Sequence, residues 1–140
     1  MAPVSSSDLT VRTATPDEHL ALLGSRRSAS FLQTPAWAAV KSEWRHESLL
    51  WERGGQPVGA GLVLYRDLPR LKRSLAYLPE GPVLDWTDGT VGEDLGAWLA
   101  PMVAHLRRKG AFGIRIGPPV AVRRWDAAAV KAGVADPDVR

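Results

Sequence analysis

Apolar and polar residues alternate over residues 9–13, Leu-Thr-Val-Arg-Thr, which predicts a short strand half-buried on one face. Thr15-Pro16-Asp17-Glu18 then supplies an N-cap, a proline at the first helical position and an acid at the third. A helix over 16–23 follows, stopped by Gly24, and a polar connection over 25–30 leads to a second start signal, Thr34-Pro35. In the stretch FLQTPAWAAVKSEW, a helix would align Trp37, Val40 and Trp44 in one apolar stripe with Lys41 on the same side. An ammonium between two indoles asks for an explanation.

Further along, 48–52 and 58–65 read as strands joined at Gly54-Gly55-Gln56, an antiparallel hairpin. A third strand is predicted over 74–78, followed by Glu80-Gly81-Pro82 and a short extended run over 83–86. Leu95, Trp98, Leu99, Met102, Val103 and Leu106 share one face of a helix predicted from 91 to about 109, with Asp88 or Thr90 as its cap and Gly110 as its end. Residues 112–116 read as a buried strand and 125–131 as a short helix before Gly133. This order implies an α/β or α+β fold in which helices cover a mixed sheet. No internal repeat or low-complexity segment interrupts it.

Composition narrows the function classes. The 140 residues are 45% hydrophobic and 24% charged, values of a globular domain with one core. There is no cysteine, hence no disulfide framework, thiol nucleophile or thiolate metal site, which fits a reducing cytoplasm. No leader-like n-region opens the sequence and no apolar run approaches the roughly 20 residues that cross a bilayer. The expected localisation is cytoplasmic. Net charge is +3, a mild lean toward phosphate-bearing partners. Six tryptophans, at 37, 44, 51, 86, 98 and 125, are expected to be mostly core anchors.

The chemistry-bearing residues exclude more than they assign. His19, His46 and His105 have no metal-ligand spacing, and a helix surface is expected for His19 and His105. Nucleophile-elbow, Walker and dinucleotide fingerprints are all missing. Arg107-Arg108-Lys109-Gly110-Ala111-Phe112-Gly113 imitates the pyrophosphate loop of acetyltransferases. Its second glycine comes one place late, and the segment closes a helix instead of opening one, so Gly110 is better read as a helix C′ residue. Asp85, Asp88, Glu93 and Asp94 cluster at a helix start, where acids cap; Asp85, after an apolar run, fits that role least. Arg66, Arg70, Lys72 and Arg73, interleaved with Leu68, Pro69 and Leu71, form either a solvated connection or a surface for phosphates, RNA or an anionic bilayer.

Three segments carry a resemblance when taken together: SFLQTPAWAAVKSEW, GQPVGAGLVLYRDLPRLKRSLAYLPEGPVLDW and RIGPP. The combination of F-x-Q-x-x-x-W-x-x-V-K with Y-x-P-x-G-P-V-x-D resembles the N-terminal part of the Fem family of peptidoglycan-bridge aminoacyl transferases, most closely members from high-GC Gram-positive bacteria. The resemblance runs from about Phe31 to about Pro119. It implies an acetyltransferase-like fold, here a partial N-terminal domain over 1–140, apparently truncated, of an enzyme with two such domains. The missing C-terminal domain, or a partner protein, would then complete the cleft, and a sheet cut short would leave an open edge after residues 114–116.

The implied activity is transfer of an amino acid, glycine or another small residue, from aminoacyl-tRNA to the stem-peptide amine of lipid II or UDP-MurNAc-pentapeptide. No CoA or other cofactor is implied, and peripheral contact with the inner membrane surface is. The family motif places a substrate-contacting lysine at Lys41, with Trp37 beside it. A cation held against indole faces is preoriented for phosphate or carboxylate oxygens; the structural alternative is a lysine whose stem packs on the rings while its head stays wet. Tyr77, Gly81, Pro82 and Arg115 are the further substrate-binding candidates. No catalytic residue is assigned, because Gly117 stands where some members carry an acid and Phe112 where some carry a tyrosine. The alternatives are a non-catalytic muramyl-peptide-binding module and a CoA-dependent acyltransferase.

Overall fold

The computed structural model describes residues 8–87, 89–121 and 123–133. The elements are β1 (Leu9–Ala14), α1 (Pro16–Gly24), a 3-10 turn (Phe31–Gln33), α2 (Pro35–Val40), β2 (Arg45–Arg53), β3 (Gln56–Asp67), β4 (Ser74–Leu78), α3 (Gly89–Glu93), α4 (Leu95–Arg108), β5 (Ala111–Ile116) and α5 (Ala127–Lys131). The five strands form one sheet in the order β1-β2-β3-β4-β5. The first four run antiparallel and β5 pairs parallel to β4 after the α4 crossover. This mixed, helix-covered layer is the α/β fold expected.

The central strands are apolar without interruption because both sheet faces are covered. Leu49, Trp51, Val63, Tyr65, Ala76 and Leu78 meet Trp98, Met102 and Leu106 of α4 on one face. On the other, Leu50 and Ala60 meet Leu22 of α1, and Leu62 and Leu64 meet Ala38 of α2. α1 begins as read: Thr15 and Glu18 close a reciprocal capping box.

Two expectations are corrected. The helix predicted over 91–109 is broken: Asp94 leaves helical geometry (φ −139°) and its side chain accepts from the Ala97 amide, so α4 starts at Leu95. Of the expected caps, Asp88 lies outside the described residues. α2 ends at Val40, with Lys41 as C-cap, so Val40 points to solvent and Trp44 reaches the core from the turn before β2. The tryptophans are mostly core anchors, as expected: Trp51 and Trp98 are buried and Trp37, Trp44 and Trp86 pack against the apolar clusters, whereas Trp125 is exposed.

Candidate functional site

The two halves of the family-like motif are joined by one buried amide. β3 and β4 pair only from Leu64↔Tyr77 to Asp67↔Ser74 and then part. Gln33 fills the opening: its Nε2 donates to the carbonyls of Pro79 (2.8 Å) and Leu62 (3.2 Å), and its Oε1 accepts from the Leu62 amide (3.0 Å). The side chain thus substitutes for a peptide unit between strands, and it is fully buried. A Cβ on Gly81 would overlap that same amide, which explains a glycine there. Beyond it the cis Gly81–Pro82 bond leads to Val83, which bridges Ala60 through two backbone hydrogen bonds. The Gly81 carbonyl accepts from the Gly117 amide at 3.1 Å, tying the end of β5 to the loop. Glu80, at φ 52°, accepts a hydrogen bond from the Ser30 hydroxyl.

Four of the predicted binding residues, Trp37, Lys41, Tyr77 and Arg115, fall on one sheet face, whereas the Pro82 side chain is buried beside Leu78 and Trp51 of the α4-side core. Lys41 Nζ lies 5.3 Å from the Trp37 ring centroid, and Phe31 packs edge-on against Trp37 at 5.5 Å. Trp37 itself rests on Leu62 and Leu64. Leu64 is the cross-strand partner of Tyr77, and Tyr77 that of Arg115, whose guanidinium stands 5.6 Å from the Tyr77 ring. Alternation along β4 and β5 sends Ala76, Leu78, Ile114 and Ile116 toward α4, so Tyr77 and Arg115 project on the α2 side. The result is an open shelf with a cation–π pair at each end, Lys41 on Trp37 and Arg115 on Tyr77. Gly81 and Pro82 are buried at the end of β4, where Gly81 contributes its carbonyl to the wall and no side chain.

Two recesses lie elsewhere. One of about 350 Å³ sits between α1 and the β2–β3 hairpin, lined by Leu22, Leu50 and Pro57; its one carboxylate, Glu18, is held by Arg12 and the Thr15 amide. The other, of about 520 Å³, is lined by Lys72, Arg73, Arg107, Gly110, Ala111 and Phe112. Chemistry, not volume, places the candidate site on the shelf. Gly110 follows the end of α4 with φ 92° and its amide bonds back to the Arg107 carbonyl, the C′ geometry predicted for it.

His19 and His105 are buried, contrary to the helix-surface expectation. His19 Nδ1 lies 2.7 Å from the Ser48 hydroxyl, and burial pushes its pKa down to about 4, opposed only in part by the Gln33 backbone. His105 joins a polar cluster under α4, where Glu47 Oε1 lies 3.1 Å from its Nε2 and accepts from the Tyr65 hydroxyl, while Oε2 accepts from Thr13 at 2.8 Å. Burial opposes ionisation of Glu47, yet these donors win and hold its carboxyl below the usual range; burial and Glu47 together push the Tyr65 hydroxyl up. Among the described residues no group of three or more His, Asp or Glu is placed to hold a metal ion. No described helix is long and apolar enough to cross a membrane.

The sequence pattern of the FemAB family matches residues 14–137. The chain belongs to the FemAB family. A lipid II:glycine glycyltransferase of Staphylococcus aureus is 29% identical to it over 110 residues, which is 77% of this chain and 25% of that protein. The crystal structure of FemX superposes with a TM-score of 0.64 at 28% identity, over 80% of this chain and 28% of that one. The FemAB-family chain described here therefore spans about a quarter of the length of the curated relatives it matches.

Proposed function

We propose that this FemAB-family chain supplies the acceptor-binding half of an aminoacyl transferase that acts on a muramyl peptide, lipid II or UDP-MurNAc-pentapeptide. The observation that carries the reading is the shelf. Lys41 and Arg115 stand on one face, each preoriented over an aromatic ring, beside a loop that Gln33 holds rigid. Two cations set apart on an open surface suit an extended ligand bearing a pyrophosphate at one end and carboxylates along a peptide.

In the reaction proposed, the stem-peptide amine attacks the ester carbonyl of aminoacyl-tRNA. The C–N bond forms, the C–O bond to the terminal ribose breaks, and the ribose oxygen takes up the proton that the amine releases. The donor is taken to be aminoacyl-tRNA and not acetyl-CoA. Supporting this, the Arg107–Gly113 segment ends a helix and enters a strand, so it presents no helix N-terminal amides to a pyrophosphate. A second domain, outside this chain, completes the cleft in this reading.

A non-catalytic muramyl-peptide-binding module is the second reading. It is favoured by Gly117, which brings a backbone amide to Gly81 where an acid would be wanted as a base. Calorimetric titration with UDP-MurNAc-pentapeptide tests the common core of both. Lys41→Ala is expected to weaken binding about five- to tenfold and Lys41→Arg to retain most of it. Unchanged affinity in Lys41→Ala removes that lysine from the site. Supplying charged tRNA with a labelled amino acid to a protein that joins this chain to the second domain then separates the readings, since only the transferase incorporates label.

A further inference from the structure

The basic connection between β3 and β4 is not absorbed by the acceptor shelf. In the fold it meets the last turn of α4: Lys72 and Arg73 line a recess with Arg107, Gly110 and the start of β5. Five ion pairs are found among the described residues, and none of them involves Arg70, Lys72, Arg73 or Arg107. The nearby acids are otherwise engaged, Asp67 with Arg45 and Glu47 with Tyr65, Thr13 and His105. The positive field at this end of the sheet is therefore uncompensated.

The turn presenting these cations is ordered. The Leu68 amide donates to the Arg73 carbonyl at 2.9 Å, and Arg70 takes the left-handed conformation at φ 64°. At its tip Leu71 is 62% exposed, and across the recess Phe112 is 51% exposed. We propose that the β3–β4 turn and the C-terminal end of α4 form a docking surface for an anionic lipid bilayer. Cations surrounding an exposed leucine and phenylalanine match the headgroup boundary, where phosphates lie above acyl chains. A phosphate-tracking RNA surface accounts for the cations but leaves the leucine at the tip without a role. The five residues of β4 separate this end from the Gly81–Pro82 loop by about 13 Å. A protein lying on the bilayer through this surface keeps its shelf off the membrane plane, where a headgroup-borne peptide extends.

The inference does not depend on the transfer reaction, because its test contains no muramyl peptide. The 140-residue chain would be sedimented with vesicles of mixed phosphatidylglycerol and phosphatidylcholine, and with phosphatidylcholine alone. Binding is expected to the anionic vesicles only. Removing each cation (Lys72→Ser, Arg107→Ser) should weaken it about fivefold, and Leu71→Asn about threefold. Arg27→Glu, a charge reversal on an exposed residue outside this surface, should have a smaller effect than Lys72→Ser. All of these sites are exposed, and circular dichroism checks that the variants fold. Equal binding to both vesicle types, no binding to either, or a loss in Arg27→Glu as large as in Lys72→Ser would overturn the proposal. So would retention of tRNA by the chain, sensitive to Lys72→Ser and Arg107→Ser, without vesicle binding.

Discussion

Replacing Gln33 by alanine tests how the candidate site is held together. The side chain makes three hydrogen bonds between positions 29 and 46 residues away, and it is fully buried. Truncation removes the donor to Pro79 O and the acceptor for Leu62 N–H at a place where the sheet itself offers no substitute, because β3 and β4 have already parted. Each buried backbone group left without a partner costs about 1–3 kcal/mol. Two such groups give a loss of about 2–6 kcal/mol, a large share of the roughly 5–15 kcal/mol that stabilises an ordinary domain. Gln33→Glu should be as harmful despite its size. It retains an acceptor for Leu62 N–H but turns a carboxylate oxygen toward the carbonyls of Pro79 and Leu62. Urea unfolding followed by tryptophan fluorescence measures both variants, with an unchanged slope confirming that the midpoint shift reports stability. A change below about 0.5 kcal/mol in both, within the range of an ordinary surface substitution, would refute the role assigned to this amide.

Gly81→Ala is expected to destabilise the chain and loosen the same loop, because its new methyl overlaps the Gln33 amide; proteolysis near Pro79 would show the loosening, and wild-type resistance would count against the overlap. His19 contributes a pH dependence of defined sign. Its folded pKa of about 4 lies below the ordinary 6.5, so the unfolded chain takes the proton first, and stability is lost as pH falls from about 6.5 toward 4, by on the order of 2–3 kcal/mol. His19→Gln should flatten that part of the stability profile, and an unchanged slope in the variant would assign it elsewhere. Arg115→Ala should weaken UDP-MurNAc-pentapeptide binding about as much as Lys41→Ala, with the double variant additive, since the two cations contact different parts of the ligand; a neutral Arg115→Ala would shrink the site to its Trp37 end.

The strands and α1 were legible because local signals agreed there: alternation, an N-cap with proline at N1, and a Gly-Gly turn. Where the reading failed, a distant contact or a competing local bond decided. The stripe of Trp37, Val40 and Trp44 fits a 3.6-residue period, but α2 stops at Val40 and Trp44 turns down onto the same apolar cluster from a turn. The long helix was broken by Asp94, whose carboxylate caps Ala97, a signal visible as an acid three residues ahead of the first amide it satisfies. Burial of His19 and His105 depended on partners 29 and 58 residues away, which no local period reveals. The motif halves were visible as patterns, and their coupling through Gln33 was not, for the same reason. Once folded, Lys41 and Trp37 are adjacent, as are Tyr77 and Arg115, while Gly117 proves to be a backbone donor to Gly81.

The most direct test of the acceptor shelf is an amide- and indole-resolved NMR titration of the chain with UDP-MurNAc-pentapeptide. The account predicts saturable shifts at Lys41, the Trp37 indole, Tyr77, Gly81 and Arg115, with the turn over 68–73 unaffected. Shifts confined to that basic turn, or none at saturating ligand, would contradict an acceptor site on this face of the sheet.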